Sequence, residues 1–510
     1  ASMIPASMIR AEWVKFRTVR GWVMAALIAV AAVAGFAVIN GQQGTCGGDS
    51  CTQLLGPGGE PVSDSFYFVH QTLSGDGSIT ARVSALTSQA SPTLSGDQRV
   101  RVPWAKAGLI LKASLAGGSQ YAAIMITGSH GVRLQDNFTG DITGPAMPAG
   151  WLRLTRSGSV ITGYASADGT RWTRVGAVTL PGLGPAVQGG LFTASPQYTQ
   201  TSMGVAQISG SPSQSTAAFD QVGLTWPSGP WTGTDVGGSS GGPAGGGGSG
   251  GSGGAGGNSE AAGPSSGYTR AGGAFTVTGT GDIAPGTSGP SGLGVTITQT
   301  LGGAFIALLV LAVIGAMFIT AEYRRGLIRV TLAACPRRGR LLAAKACVIG
   351  LVAFAAGLAG AAVAVPLGLR TLRNNGVYVA PVTPLTEVRV IVGTAAVLAA
   401  CAVLAVGIGT IARRGVTAIA SVVALIVLPY LLAVTAPVLP LGAADWLMRV
   451  TPAAAFAVEQ TVIQYPQVDD VYAPAYGYWP LAPWAGFAVL CAWTALALGL
   501  GYLMLRRRDA

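Results

Sequence analysis

The residue types that could perform catalysis are scarce in this chain of 510 residues, and their spacing does not match common catalytic sites. A P-loop ATPase needs a lysine that directly follows a glycine, and none of the four lysines does. A retaining glycosidase needs two neighbouring carboxyl groups, but no glutamate lies between Glu60 and Glu260. The two histidines, His70 and His130, have no third ligand at metal-binding spacing. We therefore expect no enzyme activity, metal site or cofactor in this chain.

Apolar residues make up 50% of the sequence and charged residues only 10%, and the apolar residues cluster in six runs that are long enough to cross a bilayer. Each run is apolar on all sides, which argues against buried core helices. We predict membrane-spanning helices over 22–39, 295–319, 344–369, 388–411, 416–439 and 482–505. A cleaved signal peptide is the alternative for the first run, but no A-x-A site follows it, so an uncleaved anchor is predicted.

Basic residues flank the six runs unevenly. If both termini are cytoplasmic, sixteen Lys and Arg residues lie on the inner side and only four in the short outer loops. This asymmetry predicts a multi-pass protein of the bacterial cytoplasmic membrane, N-in and C-in, with the long segment 41–294 outside. Topology and anionic lipids then explain the net charge of +11, and we expect no nucleic-acid partner.

The segment between the first two runs has a different composition. Residues 41–61 form a connector in which Cys46 and Cys51 are predicted to form a disulfide, with two free thiols as the alternative. Period-2 patterning over 62–226, with Asp-Gly at 168–169, predicts an antiparallel sandwich. A Gly/Ser-rich tether over 227–272 follows, and the return segment 273–294 regains strand character, as expected of an edge strand. We expect this tether to leave the sandwich without a rigid attachment to the membrane part.

Four stretches of this insert carry a resemblance: WAKAGLILK, YAAIMIT, WLRLTRSGSVITGYASADGTRW and AAFDQVGL. Together they resemble the concanavalin A-like jelly-roll domains, which are all-β antiparallel two-sheet structures that often bind glycans. The resemblance implies an external ligand-binding domain, for a glycan or a peptide, and a gating role is the alternative. The candidate ligand-facing residues are Trp104, Tyr121, Trp151 and Trp172. Core packing is the alternative role for all four.

Two cytoplasmic segments carry a second resemblance. The loop after the second run reads E-Y-R-x-G-x-I-R and then L-x-x-x-P-R-R-x-R, and the segment before the first run reads E-W-x-K-x-R-x-x-R. Both are similar to the corresponding segments of actinobacterial ABC-2 type transporter permeases, a resemblance that covers residues 8–40 and 295–508. It implies a polytopic α-helical fold with six spans, and a large first external loop is the main departure from the family pattern.

The second resemblance implies the permease subunit of an exporter. A separately encoded ABC ATPase, which binds ATP and Mg²⁺, would dock on a coupling loop at 320–343. Six spans form half of such a transporter, so a second permease copy or a paralogue is the expected partner. The implied coupling residues are Glu322, Tyr323, Arg324, Arg325, Gly326, Arg329, Pro336, Arg337 and Arg338. The alternative is a non-transporting, membrane-anchored glycan-binding or sensor protein.

The N-terminal segment also predicts an interfacial anchor that contacts membrane lipids. Its aromatic residues are expected at the level of the membrane interface and its basic residues opposite lipid phosphates. The aromatic group is Trp13, Phe16 and Trp22, and the basic group is Lys15, Arg17 and Arg20. Glu322 follows the second predicted span closely, and we expect it to form a structural ion pair with Arg325 or Arg329 rather than a proton relay.

Overall fold

The computed structural model describes residues 6–43, 53–90, 101–201, 208–227, 229–237, 266–288, 296–327, 337–435 and 439–507. Six helices in these ranges are long and apolar enough to cross a membrane. They cover Arg20–Gln42, Ile297–Arg324, Arg338–Asn374, Pro384–Ala412, Gly415–Val434 and Pro483–Arg507. The prediction of six spans is therefore confirmed. The predicted disulfide between Cys46 and Cys51 lies outside the described residues.

The helical part contains both long and short helices. The α-helices are α1 (Ala6–Thr18), α2 (Arg20–Gln43), α3 (Gly303–Arg324), α4 (Arg338–Asn374), α5 (Pro384–Ala412), α6 (Gly415–Val422), α7 (Leu428–Tyr430), α8 (Leu441–Val450) and α9 (Pro483–Arg507). The fifth span consists of α6 and α7 joined and extended by the π-helical turns Val423–Val427 and Leu431–Thr435. The 3₁₀ helices are Ile297–Leu301, Pro452–Glu459 and Pro474–Tyr476.

Helix α5 lies at the centre of the helical part, where it packs against α3, α4 and α9. Its start is defined by Pro384 in the first turn and by the Thr383 side chain, which accepts a hydrogen bond from the Thr386 amide. Small residues allow close approach of the helices. At Gly315 of α3, an added Cβ would lie 2.3 Å from the carbonyl oxygen of Ala402 in α5. The frequent glycines of the spans are thus partly explained by helix packing.

In the described residues, the β part contains two seven-stranded antiparallel sheets and two two-stranded ribbons. The strands are β1 (Val62–Asp64), β2 (Phe66–Ser74), β3 (Gly77–Ala90), β4 (Lys106–Lys112), β5 (Tyr121–Thr127), β6 (Val132–Asp136), β7 (Gly140–Thr143), β8 (Gly150–Ser157), β9 (Val160–Ser166), β10 (Thr173–Thr179), β11 (Ala186–Ala194), β12 (Tyr198–Thr201), β13 (Ile208–Ser211), β14 (Ser213–Leu224), β15 (Thr232–Val236), β16 (Gly267–Ala271), β17 (Ala274–Gly279) and β18 (Ile283–Pro285). One sheet has the order β15-β2-β11-β4-β5-β6-β7 and is called the proximal sheet, because it lies next to the strands that lead to the membrane helices. The other, the distal sheet, has the order β10-β9-β8-β3-β14-β17-β16.

The proximal sheet is buried on both faces. Leu109 and Ile124 lie in the core between the two sheets, whereas Ile110 and Tyr121 belong to a second apolar cluster on the opposite face. Every residue of β4 and β5 is consequently buried, which explains why these strands have near-continuous apolar sequences. The predicted antiparallel sandwich is present between spans 1 and 2.

The sandwich extends beyond the predicted boundaries. The segment 227–272, which we expected to be a tether, contributes β15 to the proximal sheet and β16 to the distal sheet, while residues 238–265 lie outside the described ranges. The return segment does not supply the edge strand, since β17 pairs with both β14 and β16. Strands β15 and β16 are polar and short, and their pairing depends on neighbours distant in sequence, so local composition did not identify them.

The strands that enter and leave the insert pair with each other. Strand β1 follows span 1 and β18 precedes span 2, and the two form an antiparallel ribbon. Two buried lysines of β4 hold this ribbon: Lys112 Nζ lies 2.6 Å from Asp64 Oδ2, and Lys106 Nζ lies 2.5 Å from Asp282 Oδ1. Burial lowers the pKa of Lys112, and the charge and hydrogen bond of Asp64 oppose this shift. Both points of attachment to the membrane helices are thus fixed to the sheet.

We predict that Lys112→Met lowers the melting temperature of the sandwich by roughly 6–12 °C, because it leaves the Asp64 carboxylate buried without its cation, at a cost of about 3 kcal/mol. The measurement is thermal unfolding of the full chain in detergent, followed by tryptophan fluorescence. The double variant Lys112→Met/Asp64→Leu should recover most of the loss. Arg101→Met, at an exposed cation outside the sheets, is the matched control. Equal melting temperatures for Lys112→Met and the control would contradict the role of the ion pair.

Candidate functional site

The helix α1 places its side chains on two distinct faces. Glu12 and Phe16, one turn apart, are buried against the other helices, whereas Trp13 is 45% exposed. Phe16 packs near Trp22 and Phe318, with ring centroids 6.1 Å and 6.4 Å away. The helix thereby lies across the ends of α2 and α3 with its acidic residue directed inward.

Four charged side chains meet beneath α1, and we call them the charge cluster: Glu12, Lys15, Glu322 and Lys345. Lys345 Nζ lies 2.8 Å from Glu12 Oε2 and 2.7 Å from Glu322 Oε1. Lys15 Nζ bridges the same two glutamates from the solvent side, 2.8 Å from Glu12 Oε1 and 3.1 Å from Glu322 Oε1. Two cations and two anions therefore form a neutral network that joins α1, α3 and α4.

The charge cluster is largely removed from water. The Lys345 side chain is fully buried, and its Nζ also lies 4.7 Å from the centre of the Phe318 ring. Burial lowers the pKa of Lys15, but its hydrogen bond and charge interaction with Glu12, together with those of Glu322, raise the pKa overall. Among the described residues, Glu322 Oε2 is buried without a hydrogen-bond partner. Removing one member would leave an uncompensated buried charge, which makes the network sensitive to single substitutions.

The charge cluster corrects two expectations. Glu322 pairs with Lys15 and Lys345 rather than with Arg325, which is exposed, while Arg329 lies outside the described residues. Lys15 turns toward two glutamates instead of facing lipid phosphates. The physical reason is that a buried carboxylate attracts cations from any element that packs against it, so the partners need not be neighbours in sequence.

The other described residues of the predicted coupling loop lie near the ends of α3 and α4. Tyr323 lies beneath Arg413, whose guanidinium carbon is 5.3 Å from the ring centre. Gly326, with φ of +70°, ends α3 after Arg325, whose amide donates to the Ala321 carbonyl. Arg338 at the start of α4 donates to the Leu505 carbonyl of α9. Arg324, Arg325 and Arg337 are exposed, and Arg329 and Pro336 lie outside the described residues.

The N-terminal anchor residues other than Lys15 have mixed environments. Arg17 and Arg20 are exposed, Trp22 is half-buried, and Phe16 is 4% exposed. The Trp22 and Phe318 rings meet edge to face at 5.0 Å. Phe16 thus contributes to helix packing, and the exposed side of α1 is formed by Trp13 and the arginines.

The four candidate ligand-facing residues of the sandwich do not lie together. Trp104 and Tyr121 belong to the region of the proximal sheet and are buried, with Trp104 stacked on His130 at 4.1 Å. Trp151 and Trp172 are half-buried on the outer side of the distal sheet. The sequence could not separate these pairs because the burial of an aromatic side chain depends on which distant elements cover its face of the sheet.

A second contact joins the sandwich to the helical part. The Gln467 side chain, only 2% exposed, donates to the carbonyls of Phe138 and Thr139 at 3.4 Å and 3.2 Å. Phe138 has φ of +66°, an uncommon conformation for a bulky residue, and its ring is buried in the proximal sheet's outer cluster. Because Gln467 belongs to the loop between spans 5 and 6, the sandwich is attached here too, contrary to the expectation of a loose tether.

Sequence reasoning missed several of these residues. The sequence alone does not identify the interacting residues Glu12, Lys345 and Gln467. It also does not identify the buried pairs Lys106–Asp282 and Lys112–Asp64. One available signal was that each of the four lysines of this charge-poor chain lies next to apolar residues, as Lys345 does in LLAAKACVIG. Glu459, which accepts a hydrogen bond from Thr394 of α5, was likewise not identified.

Three solved structures show similarity to parts of this chain. A functionally unknown protein from Saccharomyces cerevisiae is 18% identical, with 35% of this chain and 85% of that chain covered and a TM-score of 0.22. A GH43 protein mutant from Bacillus licheniformis is 14% identical, with 23% of this chain and 24% of that chain covered and a TM-score of 0.17. SCP-B, an eqolisin peptidase in complex with a tripeptide, is 10% identical, with 44% of this chain and 100% of that chain covered and a TM-score of 0.24. Because these TM-scores are low, the three similarities support no conclusion about the fold or function of this protein.

No curated protein matches the chain. Residues 193–510 match the family described as ABC-2 family transporter protein. This agrees with the resemblance carried by the segments around Glu12 and Glu322. Since the matched region is more than half of the chain and contains five of the six candidate spans, this protein is a membrane permease subunit that belongs to the ABC-2 transporter family.

Proposed function

We propose that the chain is the membrane subunit of an ABC-2 exporter, with both termini in the cytoplasm and the sandwich outside the cell. A separate ATPase, which binds ATP and Mg²⁺, docks on the loop 320–343, and a second permease copy or a paralogue completes the transporter. The observation that carries this proposal is the charge cluster, since it joins α1 to both helices that border the docking loop.

The exposed charges near the charge cluster support this orientation. Arg10 and Arg17 on α1, and Arg324 and Arg325 at the end of α3, are exposed at this end of the spans. The sandwich is attached at the opposite ends of the same helices, where α2 leads toward β1 and β18 leads toward α3. An excess of exposed arginine on one side is the pattern of a cytoplasmic surface, and it also suits an ATPase docking site.

The charge cluster provides a route for transmission. When ATP binding moves the docked ATPase, the loop 320–343 moves with it, and ion pairs buried in low dielectric resist separation. Glu12 and Lys15 therefore carry α1 along with α3 and α4. Because only Val19 separates α1 from α2, this motion reaches span 1. Spans 1 and 2, to which the sandwich is connected, then move together, and the transporter changes from one of its two arrangements to the other.

The sandwich has a ligand-binding or gating role in this proposal. Its ribbon is fixed to spans 1 and 2, and its β6–β7 turn is bonded to Gln467 in the loop between spans 5 and 6. Further bonds join the end of the insert to the same loop, where the Ser288 hydroxyl donates to the Tyr476 carbonyl and the Ser288 amide donates to Tyr478 Oη. A motion of spans 1 and 2 relative to spans 5 and 6 must therefore strain or break these contacts.

We predict that Glu322→Gln reduces permease-stimulated ATP hydrolysis by about 10-fold, because the loss of one carboxylate uncouples α1 from the docking loop. The measurement is the ATPase rate of the co-purified complex reconstituted in proteoliposomes. Glu387→Gln, the same change at the opposite end of the spans, is the matched control and should leave the rate unchanged.

A second variant separates coupling from folding. Arg325→Gln changes an exposed residue of the docking loop, so it should lower the rate while the melting temperature stays constant. If no ATPase co-purifies, or if Glu322→Gln and Arg325→Gln both leave its rate unchanged, the exporter proposal is wrong. The membrane-anchored binding protein would then be the better description.

We predict that Gln467→Ala speeds amide hydrogen exchange in the β6–β7 turn by about 5- to 30-fold, because it removes two hydrogen bonds of roughly 1 kcal/mol each. The measurement is exchange followed by mass spectrometry on the full chain, in peptides that contain Asn137 to Gly140. Gln464→Ala, an exposed residue of the same loop, is the matched control. Identical exchange in both variants would show that the docking contact does not exist in solution.

A further inference from the structure

The outer face of the distal sheet carries a row of arginine and aromatic side chains. Arg153 of β8 is the cross-strand partner of Tyr164 in β9, which is in turn the partner of Arg174 in β10. Cross-strand partners point to the same face of a sheet, so these three side chains are neighbours. With about 4.8 Å between strands, the backbones of the two arginines lie about 10 Å apart.

Three more residues complete this set, which we call the arginine–aromatic face: Arg82, Trp151, Arg153, Tyr164, Trp172 and Arg174. Arg82 is the cross-strand partner of Trp151. The Trp172 ring stacks on Arg153, whose guanidinium carbon lies 4.0 Å from the ring centre. The three aromatic rings are half-buried, as is Arg153, and the other two arginines are exposed.

The guanidinium groups of this face are prepared for a ligand. Arg153 Nε donates to Thr80 Oγ1 at 3.0 Å, and the Trp172 ring fixes the plane of the group, which leaves its terminal amines without a partner among the described residues. Arg174 has neither a hydrogen bond nor an ion pair within the described ranges. A fixed guanidinium loses little entropy when it binds a carboxylate or phosphate through two parallel hydrogen bonds.

Acidic residues do not neutralise this face. The carboxylate of Asp220 lies 4.0 Å from Arg82 Nε, at the limit of an ion pair. Asp168, in the β9–β10 turn, accepts hydrogen bonds from the amides of Arg171 and Thr170, so its carboxylate is engaged by its own turn and not by an arginine of the face. The face therefore keeps a positive surplus.

The arginine–aromatic face continues into a polar groove and is directed away from the membrane helices. The groove has a volume of about 320 Å³ and is lined by Thr87, Gln89, Gln214, Thr216 and Thr278. It lies along β3, and the stretch from Arg82 to Gln89 spans about 23 Å, so an extended ligand can contact both regions. The proximal sheet, by contrast, has its outer side covered by the β1–β18 ribbon and by Gln467.

We propose that the arginine–aromatic face and the adjoining groove bind an anionic polysaccharide, a sugar chain that carries carboxylate or phosphate groups. Aromatic rings offer apolar surfaces to sugar rings, the arginines bind the anions, and the threonines and glutamines of the groove bind hydroxyl groups. This inference rests on the proposed external position of the sandwich, where such polymers are accessible.

The test measures binding of sugar polymers to the full chain in lipid nanodiscs by biolayer interferometry. The probes are polygalacturonate and phosphorylated dextran, which separate carboxylate from phosphate, with plain dextran and polyglutamate as the neutral and the non-sugar controls. We expect at least one anionic polysaccharide to bind, and Arg153→Gln and Trp172→Leu to weaken it about 10-fold or more. Arg101→Gln makes the same charge change at an exposed residue outside the face and should bind as the native chain does.

The outcomes distinguish this inference from the exporter proposal, because the binding assay contains no ATPase. Binding of polyglutamate as tightly as the sugar polymers, or binding that Arg153→Gln and Trp172→Leu leave unchanged, overturns the inference. Absence of binding to both anionic polysaccharides overturns it as well, even if ATPase coupling is intact. Selective, arginine-dependent binding supports it, even if Glu322→Gln fails to alter ATP hydrolysis.

Discussion

The ion pairs between Lys345 and the two glutamates, Glu12 and Glu322, are the interaction on which the arrangement of the adjoining ends of α1, α3 and α4 depends. A lysine at this depth is tolerated only because two carboxylates and an aromatic ring compensate for its lost hydration. The requirement fixes α1 across the ends of α3 and α4. It also places the exposed arginines around a common surface, which is where a partner subunit would act on all three helices at once.

The same principle recurs at the other end of the spans. The ribbon that connects the sandwich to spans 1 and 2 is held by Lys106 and Lys112, each buried beside an aspartate. Buried ion pairs contribute little net stability, but they penalise any arrangement in which one partner moves away. The chain thus uses three of its four lysines as buried connectors between elements, and the sandwich, the ribbon and the spans act as mechanically linked parts.

The two sheets of the sandwich have different roles as a result. The proximal sheet is apolar on both faces because one covers the core and the other meets the ribbon and the loop that carries Gln467. The distal sheet has one open face, on which arginines and aromatic rings remain accessible. The contacts to the spans and the proposed ligand-binding face therefore lie on opposite sides of one domain, so that a ligand on the distal sheet would leave those contacts in place.

The sequence by itself determined the six spans, the strands such as Tyr121–Thr127 and the turn at Asp168, because hydrophobic runs, alternation and turn residues are local signals. It also indicated the family through the segments around Glu12 and Glu322. Only the tertiary structure decided that these two glutamates share Lys345, and that Trp104 is buried while Trp172 lies on an open face. Those facts depend on which elements pack together across hundreds of residues, and a side chain's type does not specify a distant partner.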